Sequence, residues 1–367
     1  MRVNGRAYRT IWRTPDGAIA FIDQRFLPHR FLIEEVRTVE ALADAIREMH
    51  IRGAIALGAA AAYGMELAAA SASDADLPTA LARAAELLKQ TRPTAVNIAW
   101  AVDSILKAVA GAQSAEELRH RLRTAVDALV EGEVERCRRI GEHGAALLET
   151  LAQRKATAPL QILTHCNAGW LGCVDYGTAL APVYVAADRG IPLHVWVSET
   201  RPRNQGAALT AWELQQHGVP YTVVVDSACG HLLQQGMVDV ALVGADRITR
   251  RGDTANKIGT YPKALLCRAH GVPFYVAAPS SSFDPTLTNG TDIPLEERSP
   301  EEVHTASGLH GDRFVTVRIT PDGARAWNPS FDVTPAELIT GFLTEYGLFP
   351  ATAEGVEDLL ATAHVYP

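Results

Sequence analysis

Positive charge is scarce in this 367-residue chain, in which 34 Lys and Arg face 42 Asp and Glu for a net charge of −8. Affinity for nucleic acid or an acidic membrane comes from clustered Lys and Arg that displace the phosphates' counterions, so neither partner is expected and basic residues should be local tools. Cysteine is scarce too: Cys137, Cys166, Cys173, Cys229 and Cys267 are odd in number and show no CxxC spacing, indicating neither a disulfide framework nor a zinc site. A reducing cytoplasm fits such a chain. The twelve histidines form no HxxxH or Cys/His cluster, so no metal is expected. GxGxxG is missing after the first strand of the parallel pattern, and GAIALG lacks the Lys-Ser/Thr ending of a Walker loop, which leaves nucleotide cofactors unsupported and the expected cofactor set empty. The opening MRVNGRAYRT lacks the apolar core and cleavage site of an export signal. The segment closest to a membrane span, Gly53 to Ala70, is mostly Ala and Gly with Glu66 inside it, and reads as a tightly packed core helix.

What is present is enough apolar sequence, at 47%, to bury a full core in two domains. Alternation around Pro15-Asp16-Gly17 predicts a small antiparallel sheet. Helices follow: Thr38 caps a segment reaching His50, Gly53 opens the Ala-rich helix, Pro78 and Pro93 open the next two, and a long helical pattern runs from Ser114 to about Arg154. The Thr157-Ala158-Pro159 break divides a mainly helical domain, 1–156, from an α/β domain, 157–367. In the latter, strands near Leu160–Thr164, Leu193–Val197, Thr222–Val225, Val240–Val243 and Phe274–Ala277 alternate with helices, the pattern of a doubly wound parallel sheet. Residues 280–328 read as loop-rich, either a lid or plain surface.

Two strand ends carry the chemistry. QILTHCNAG puts Cys166, and VDVALVGADRI puts Asp246, where a buried apolar run breaks into a Gly-bearing turn, and open α/β sheets hold ligands at such carboxyl ends. Taken singly, Cys166 also fits an inert buried cysteine and Asp246 a helix cap. Anion-binding chemistry elsewhere tips the balance toward an acid/base site. Arg52 precedes Gly53-Ala54, Arg92 precedes Pro93, and Gln205 precedes Gly206, each at an expected helix start, where unpaired amides and a partial positive charge suit an oxyanion. Gly53 and Gly206 would also permit close approach of an oxygen. Asn256 and Lys257, expected on a loop or helix start beyond the Asp246 strand, could hold a sugar hydroxyl or phosphate oxygen. The ligand these residues suggest is a phosphorylated polyol.

TRPTAVN (91–97), THCNAG (164–169), ETRPRNQG (199–206), LTAWEL (209–214), GADRI (244–248), GDTANKIGTY (252–261), PFYVAAP (273–279), EER (296–298) and NPSFDVTP (328–335) together resemble the methylthioribose-1-phosphate isomerases of methionine salvage over essentially the whole chain. The resemblance implies a Rossmann-like catalytic domain after a helical domain with a small sheet, a homodimer, Cys166 as catalytic cysteine and Asp246 as catalytic acid. It further implies that Arg52, Gly53, Ala54, Arg92, Gln205, Asn256 and Lys257 contact the substrate. The chain departs from the family in having Ile55 for a proline, Leu57 for an isoleucine and Ala208 for a common arginine. The same fold serves ribose-1,5-bisphosphate isomerases and the regulatory α, β and δ subunits of the eukaryotic translation-initiation exchange factor, so fold alone leaves activity open. Isomerisation of another 1-phosphorylated pentose, or non-catalytic binding of a sugar phosphate or nucleotide, are the alternatives. For the isomerase, a thiolate that removes the carbon-2 proton and a direct hydride shift are both open.

Overall fold

The computed structural model describes residues 1–92, 96–155 and 159–363. Around the Pro15-Asp16-Gly17 turn, β1 (Ile11–Arg13) and β2 (Ile19–Ile22) pair antiparallel, and β3 (Ile33–Val36) completes the small sheet. Thr38 accepts the amide of Ala41 and so caps α1 (Val39–Arg47), whose inward face carries Leu42 and Ile46. Next come α2 (Ala54–Ser71), α3 (Leu77–Lys89), α4 (Val96–Val109) and α5 (Ala115–Arg154). Among the described residues α2 is the one helix long and apolar enough to cross a membrane, yet 14 of its 18 residues are buried. Its Ala and Gly side chains let α1, α3, α4 and α5 pack closely around it. Pro93, expected to open α4, and Thr157 and Ala158 of the expected domain break lie outside the described residues.

Ser114 caps α5 by accepting the Glu117 amide, and 40 residues at 1.5 Å each make a rod about 60 Å long. Its first half packs through Leu122, Val126 and Val130 into the helical core, and its second half through Ile140, Ala145 and Leu148 into the core of the sheet. One helix therefore belongs to two apolar clusters.

Two larger sheets are built from β4 (Leu160–His165), β5 (Leu193–Ser198), β6 (Tyr221–Val224), β7 (Val240–Val243), β8 (Arg247–Thr249), β9 (Thr254–Lys257), β10 (Phe274–Ala277), β11 (Phe283–Asp284), β12 (Phe331–Thr334), β13 (Gly341–Thr344) and β14 (Gly347–Phe349). Seven form one sheet in the order β6-β5-β4-β7-β10-β13-β14, parallel except for the last pair. The protein is thus α/β, a doubly wound parallel sheet following a helical region. The chain winds outward from β4 to β6 and then returns to place β7 on the other side of β4. That reversal is a topological switch point, where neighbouring loops diverge and leave a crevice.

Two expectations need correction, and a third gains detail. Asn256 and Lys257 lie on β9 rather than on a loop or helix start, because Thr254–Lys257 pairs with the distant Phe331–Thr334 in a second sheet, ordered β11-β8-β9-β12. The segment after Gln205 opens as a π turn, Gly206–Thr210, and becomes the α-helix α6 (Ala211–His217) only afterwards. Residues 280–328 are not all loop: Thr305–His310 and Arg313–Arg318 form a hairpin.

Candidate active site

Cys166 follows the last residue of β4, and Asp246 lies just beyond the end of β7. The two strands are neighbours with Thr164 opposite Leu242, and the Thr164 hydroxyl donates to the Leu242 carbonyl at 2.8 Å. The thiol and the carboxyl therefore emerge at the switch point and line one cavity. Arg52, Gly53, Ala54, Arg92, Gln205, Asn256 and Lys257 line the same cavity. Of the residues singled out from the sequence, Gly206 is absent from this lining.

Gly53 is the N-cap of α2, with φ at 95°, and a Cβ there would lie 2.2 Å from the Gly172 carbonyl oxygen. A Cβ on Gly206 would lie 1.8 Å from the Ser198 carbonyl oxygen. The oxygens these glycines admit thus belong to the chain's own backbone, a different reason from the one expected. Arg52 is fixed beside Gly53 by two hydrogen bonds to Asn167, Nη1 to Oδ1 at 2.7 Å and Nη2 to the carbonyl at 2.9 Å. Asn167 in turn donates to Glu213 at 2.8 Å.

The lining carries six cationic side chains, Arg52, Arg92, Arg203, Arg247, Lys257 and Arg298, against the single carboxylate of Asp246. In a chain of net charge −8 that concentration is local and suits a phosphate. Part of it is balanced at the rim: Arg92 donates to Glu296 at 2.7 Å, Arg298 to Glu296 at 3.1 Å and to Glu302 at 2.9 Å, and Arg203 to Glu302 at 2.8 Å. Burial works to raise the pKa of Glu296, but Arg92 and Arg298 hold it below the usual carboxylate range. Lys257 is buried on β9 and forms no ion pair among the described residues, and burial lowers its pKa. Nε of Arg92 and Oε1 of Gln205 are buried without partners.

Burial pushes the Asp246 carboxyl up to about 6 despite Arg92, Arg52 and Lys257, so that it takes up a proton far more readily than an ordinary aspartate. Burial also raises the Cys166 thiol above its ordinary value, with Arg52 and Lys257 opposing it. Near pH 7 Cys166 is a thiol. The same lining also includes the apolar side chains of Met49, Ile55, Leu57, Ile293, Leu295 and Phe331.

Arg203 and Arg298 were not singled out from the sequence, although both sit inside quoted motifs, ETRPRNQG and EER. Their signal was the arginine itself inside each motif, which does not reveal that two distant segments meet. Among the described residues the group able to hold a metal, Asp23, Glu34 and His50, lies outside this cavity; Asp23 is already paired with Arg25 and Glu34 with His50.

Residues 50–351 match the Initiation factor 2 subunit family. Methylthioribose-1-phosphate isomerase of Methylocella silvestris is 52% identical over 97% of both chains, and that of Desulfatibacillum aliphaticivorans is 49% identical over 98% of both. Among solved structures, 5-methylthioribose 1-phosphate isomerase from Pyrococcus horikoshii superposes with a TM-score of 0.85 at 39% identity, covering 97% of each chain. The translation initiation factor eIF-2B, subunit delta, from A. fulgidus reaches 0.79 at 41% identity, covering 94% of this chain and 96% of that one. With its acid and thiol on neighbouring strand ends and half its residues shared with these relatives, the chain belongs to the methylthioribose-1-phosphate isomerase group of the Initiation factor 2 subunit family.

Proposed function

We propose that this chain is an aldose-ketose isomerase that converts 5-methylthioribose 1-phosphate to 5-methylthioribulose 1-phosphate in methionine salvage. The observation that carries this reading is the pairing, in one cavity, of Cys166 and Asp246 with cationic side chains suited to a phosphate and apolar side chains suited to a methylthio group. The likeness to methylthioribose-1-phosphate isomerases over nearly the whole chain supports this substrate over ribose 1,5-bisphosphate.

A phosphate on the anomeric oxygen blocks spontaneous ring opening, so the protein must supply the proton. Neutral Asp246 donates to the ring oxygen as its bond to carbon 1 breaks. Hydrogen then moves from carbon 2 to carbon 1 with its electron pair, the carbon-2 oxygen becomes a carbonyl, and its proton returns to the Asp246 carboxylate. Atoms and charge balance, and Asp246 ends as it began. Both transferred electrons stay within the sugar, so the rearrangement needs no redox cofactor. The raised Cys166 pKa favours this hydride route over proton removal by a thiolate; Cys166 serves beside the reacting carbons as a polar group that stabilises developing charge. Arg52, Arg92, Gln205, Asn256 and Lys257 hold the phosphate and hydroxyls, with the backbone of Gly53 and Ala54 at the start of α2.

A coupled assay with methylthioribose 1-phosphate, ribose 1,5-bisphosphate and 5-deoxyribose 1-phosphate tests the reading: turnover should be fastest with the first. Binding without turnover of any would instead favour a regulatory subunit, the reading that the likeness to the A. fulgidus protein keeps in view. We further propose a cytoplasmic homodimer with 1–156 and 157–367 as domains. Five free thiols suit a reducing compartment, and the terminal strand β6, with Val223 exposed on it and Val225 exposed just past its end, offers an apolar edge to a second copy. Light scattering on the purified protein checks the mass.

A further inference from the structure

Cys166 is held in a conformation its side chain does not favour. Its φ is 61°, in the left-handed region that disfavours residues with a Cβ, so neighbouring groups must over-determine it. Neither of its backbone polar groups is satisfied by a helix or sheet ladder. The Thr200 hydroxyl accepts the Cys166 amide at 2.8 Å, and the Thr210 hydroxyl donates to the Cys166 carbonyl at 2.6 Å. Both threonines are fully buried.

Thr200 is itself left-handed, with φ at 67°, rarer still for a β-branched residue. What fixes it is Asp226, just past β6. This carboxylate accepts the Thr200 amide at 2.9 Å, the Arg201 amide at 2.7 Å and the Ser198 hydroxyl. The Thr200 hydroxyl has a single proton, for which the Ser198 carbonyl at 2.9 Å and Nδ1 of His165 at 3.3 Å compete. His165 is neutral, and its Nε2 donates to the Ile258 carbonyl at 2.8 Å, which leaves Nδ1 an acceptor. With its proton so committed, the Thr200 oxygen faces the Cys166 amide as an acceptor. Three successive strand ends, β6, β5 and β4, are thereby linked from Asp226 through Thr200 to Cys166.

We propose that Thr200, locked by Asp226, and Thr210 are positioning residues that hold Cys166 left-handed and so aim its thiol into the cavity beside Arg52 and Lys257. This rests on the reading of Cys166 as part of the catalytic machinery. Thr200→Val keeps the shape and deletes the acceptor, leaving the Cys166 amide unpaired. Cys166 then relaxes away from the two cations that favour its thiolate, and the thiol loses its aim.

The test compares wild type, Thr200→Val and Thr200→Ser, with Thr210→Val and Thr210→Ser as a second pair should Thr200→Val not fold. Alkylation by iodoacetamide, located at Cys166 by peptide mass spectrometry, reads the thiol without substrate; the other four cysteines are buried. The valine variants should alkylate at Cys166 at least about fivefold more slowly and lose about 10- to 100-fold in kcat, with KM within about threefold of wild type, as expected for a displaced reacting group. The serine variants, which keep the hydroxyl, should recover most of both. Valine variants that match wild type in alkylation and kcat, or serine variants as impaired as valine, overturn the proposal. If wild type proves to have no isomerase activity, the alkylation comparison still decides the positioning role.

Discussion

Cys166 and Asp246 leave adjacent parallel strands on the two sides of the sheet's switch point, in a register that sets Thr164 opposite Leu242. No turn or disulfide joins them. Their meeting follows from the order in which the strands were laid down.

Replacing Asp246 by Asn removes the proton donor while preserving shape. Turnover should fall about 10²- to 10⁴-fold, the usual contribution of a general acid. The variant should also be more stable at pH 7.5, by on the order of 1–3 kcal/mol, because a buried carboxyl with its pKa raised to about 6 costs stability once ionised. Thermal melts and initial rates on one preparation check both.

The pH dependence has a definite sign. A carboxyl whose folded pKa exceeds its unfolded value stabilises the fold at low pH and loses that advantage as pH rises toward about 6. If neutral Asp246 is the working form, kcat/KM should likewise fall as pH rises through that region. An increase through pH 6 would mean that Asp246 enters as a carboxylate base. Arg92, Arg52 and Lys257 pull the value down and Glu296 pushes it up, so neutralising any of them should move the inflection.

Cys166→Ser should lower turnover by orders of magnitude with little change in melting temperature. Wild-type turnover in that variant would remove the cysteine from the mechanism. Carbon-2 deuterated substrate provides a separate readout: retention of label at carbon 1 is expected for hydride transfer, and extensive loss to water for proton abstraction.

Arg92→Ala should act chiefly on KM, raising it about 10- to 100-fold, as for loss of a charged hydrogen bond to phosphate. The Glu296 carboxylate would lose its Arg92 partner and keep Arg298. Comparable losses in kcat at unchanged KM would contradict a binding role.

Ile55→Pro restores the residue expected from the family resemblance. At the second position of α2 the proline forfeits no intrahelical bond, and its fixed φ stabilises by up to about 1 kcal/mol. Ile55 is buried against Cys137 and Cys173, however, and trimming that contact costs about 1–2 kcal/mol. A net loss of roughly 0.5–1 kcal/mol should appear in denaturant melts.

The parallel strands were legible because each is a short apolar run closed by a turn, and Cys166 and Asp246 were legible as the residues at which those runs break. The caps at Thr38 and Ser114 were equally local signals. Lys257 was recognised as a site residue but misplaced, since β9 exists only through pairing with a segment far along the chain. β13 and β14 escaped notice because their apolar runs, Phe342-Leu343 and Leu348-Phe349, are only two residues long and are each preceded by a glycine. Thr200 had no signal at all, because its role lies in a backbone angle and a hydroxyl geometry that residue type does not encode.

The uninterrupted rod of α5 constrains how the pocket can breathe. A clamshell motion separating the bundle from the sheet would have to snap a helix that is anchored in both, sacrificing several turns of ladder at once. Traffic of sugar in and out is therefore expected to rely on local flexing of the cavity lining rather than on parting the two cores that α5 joins.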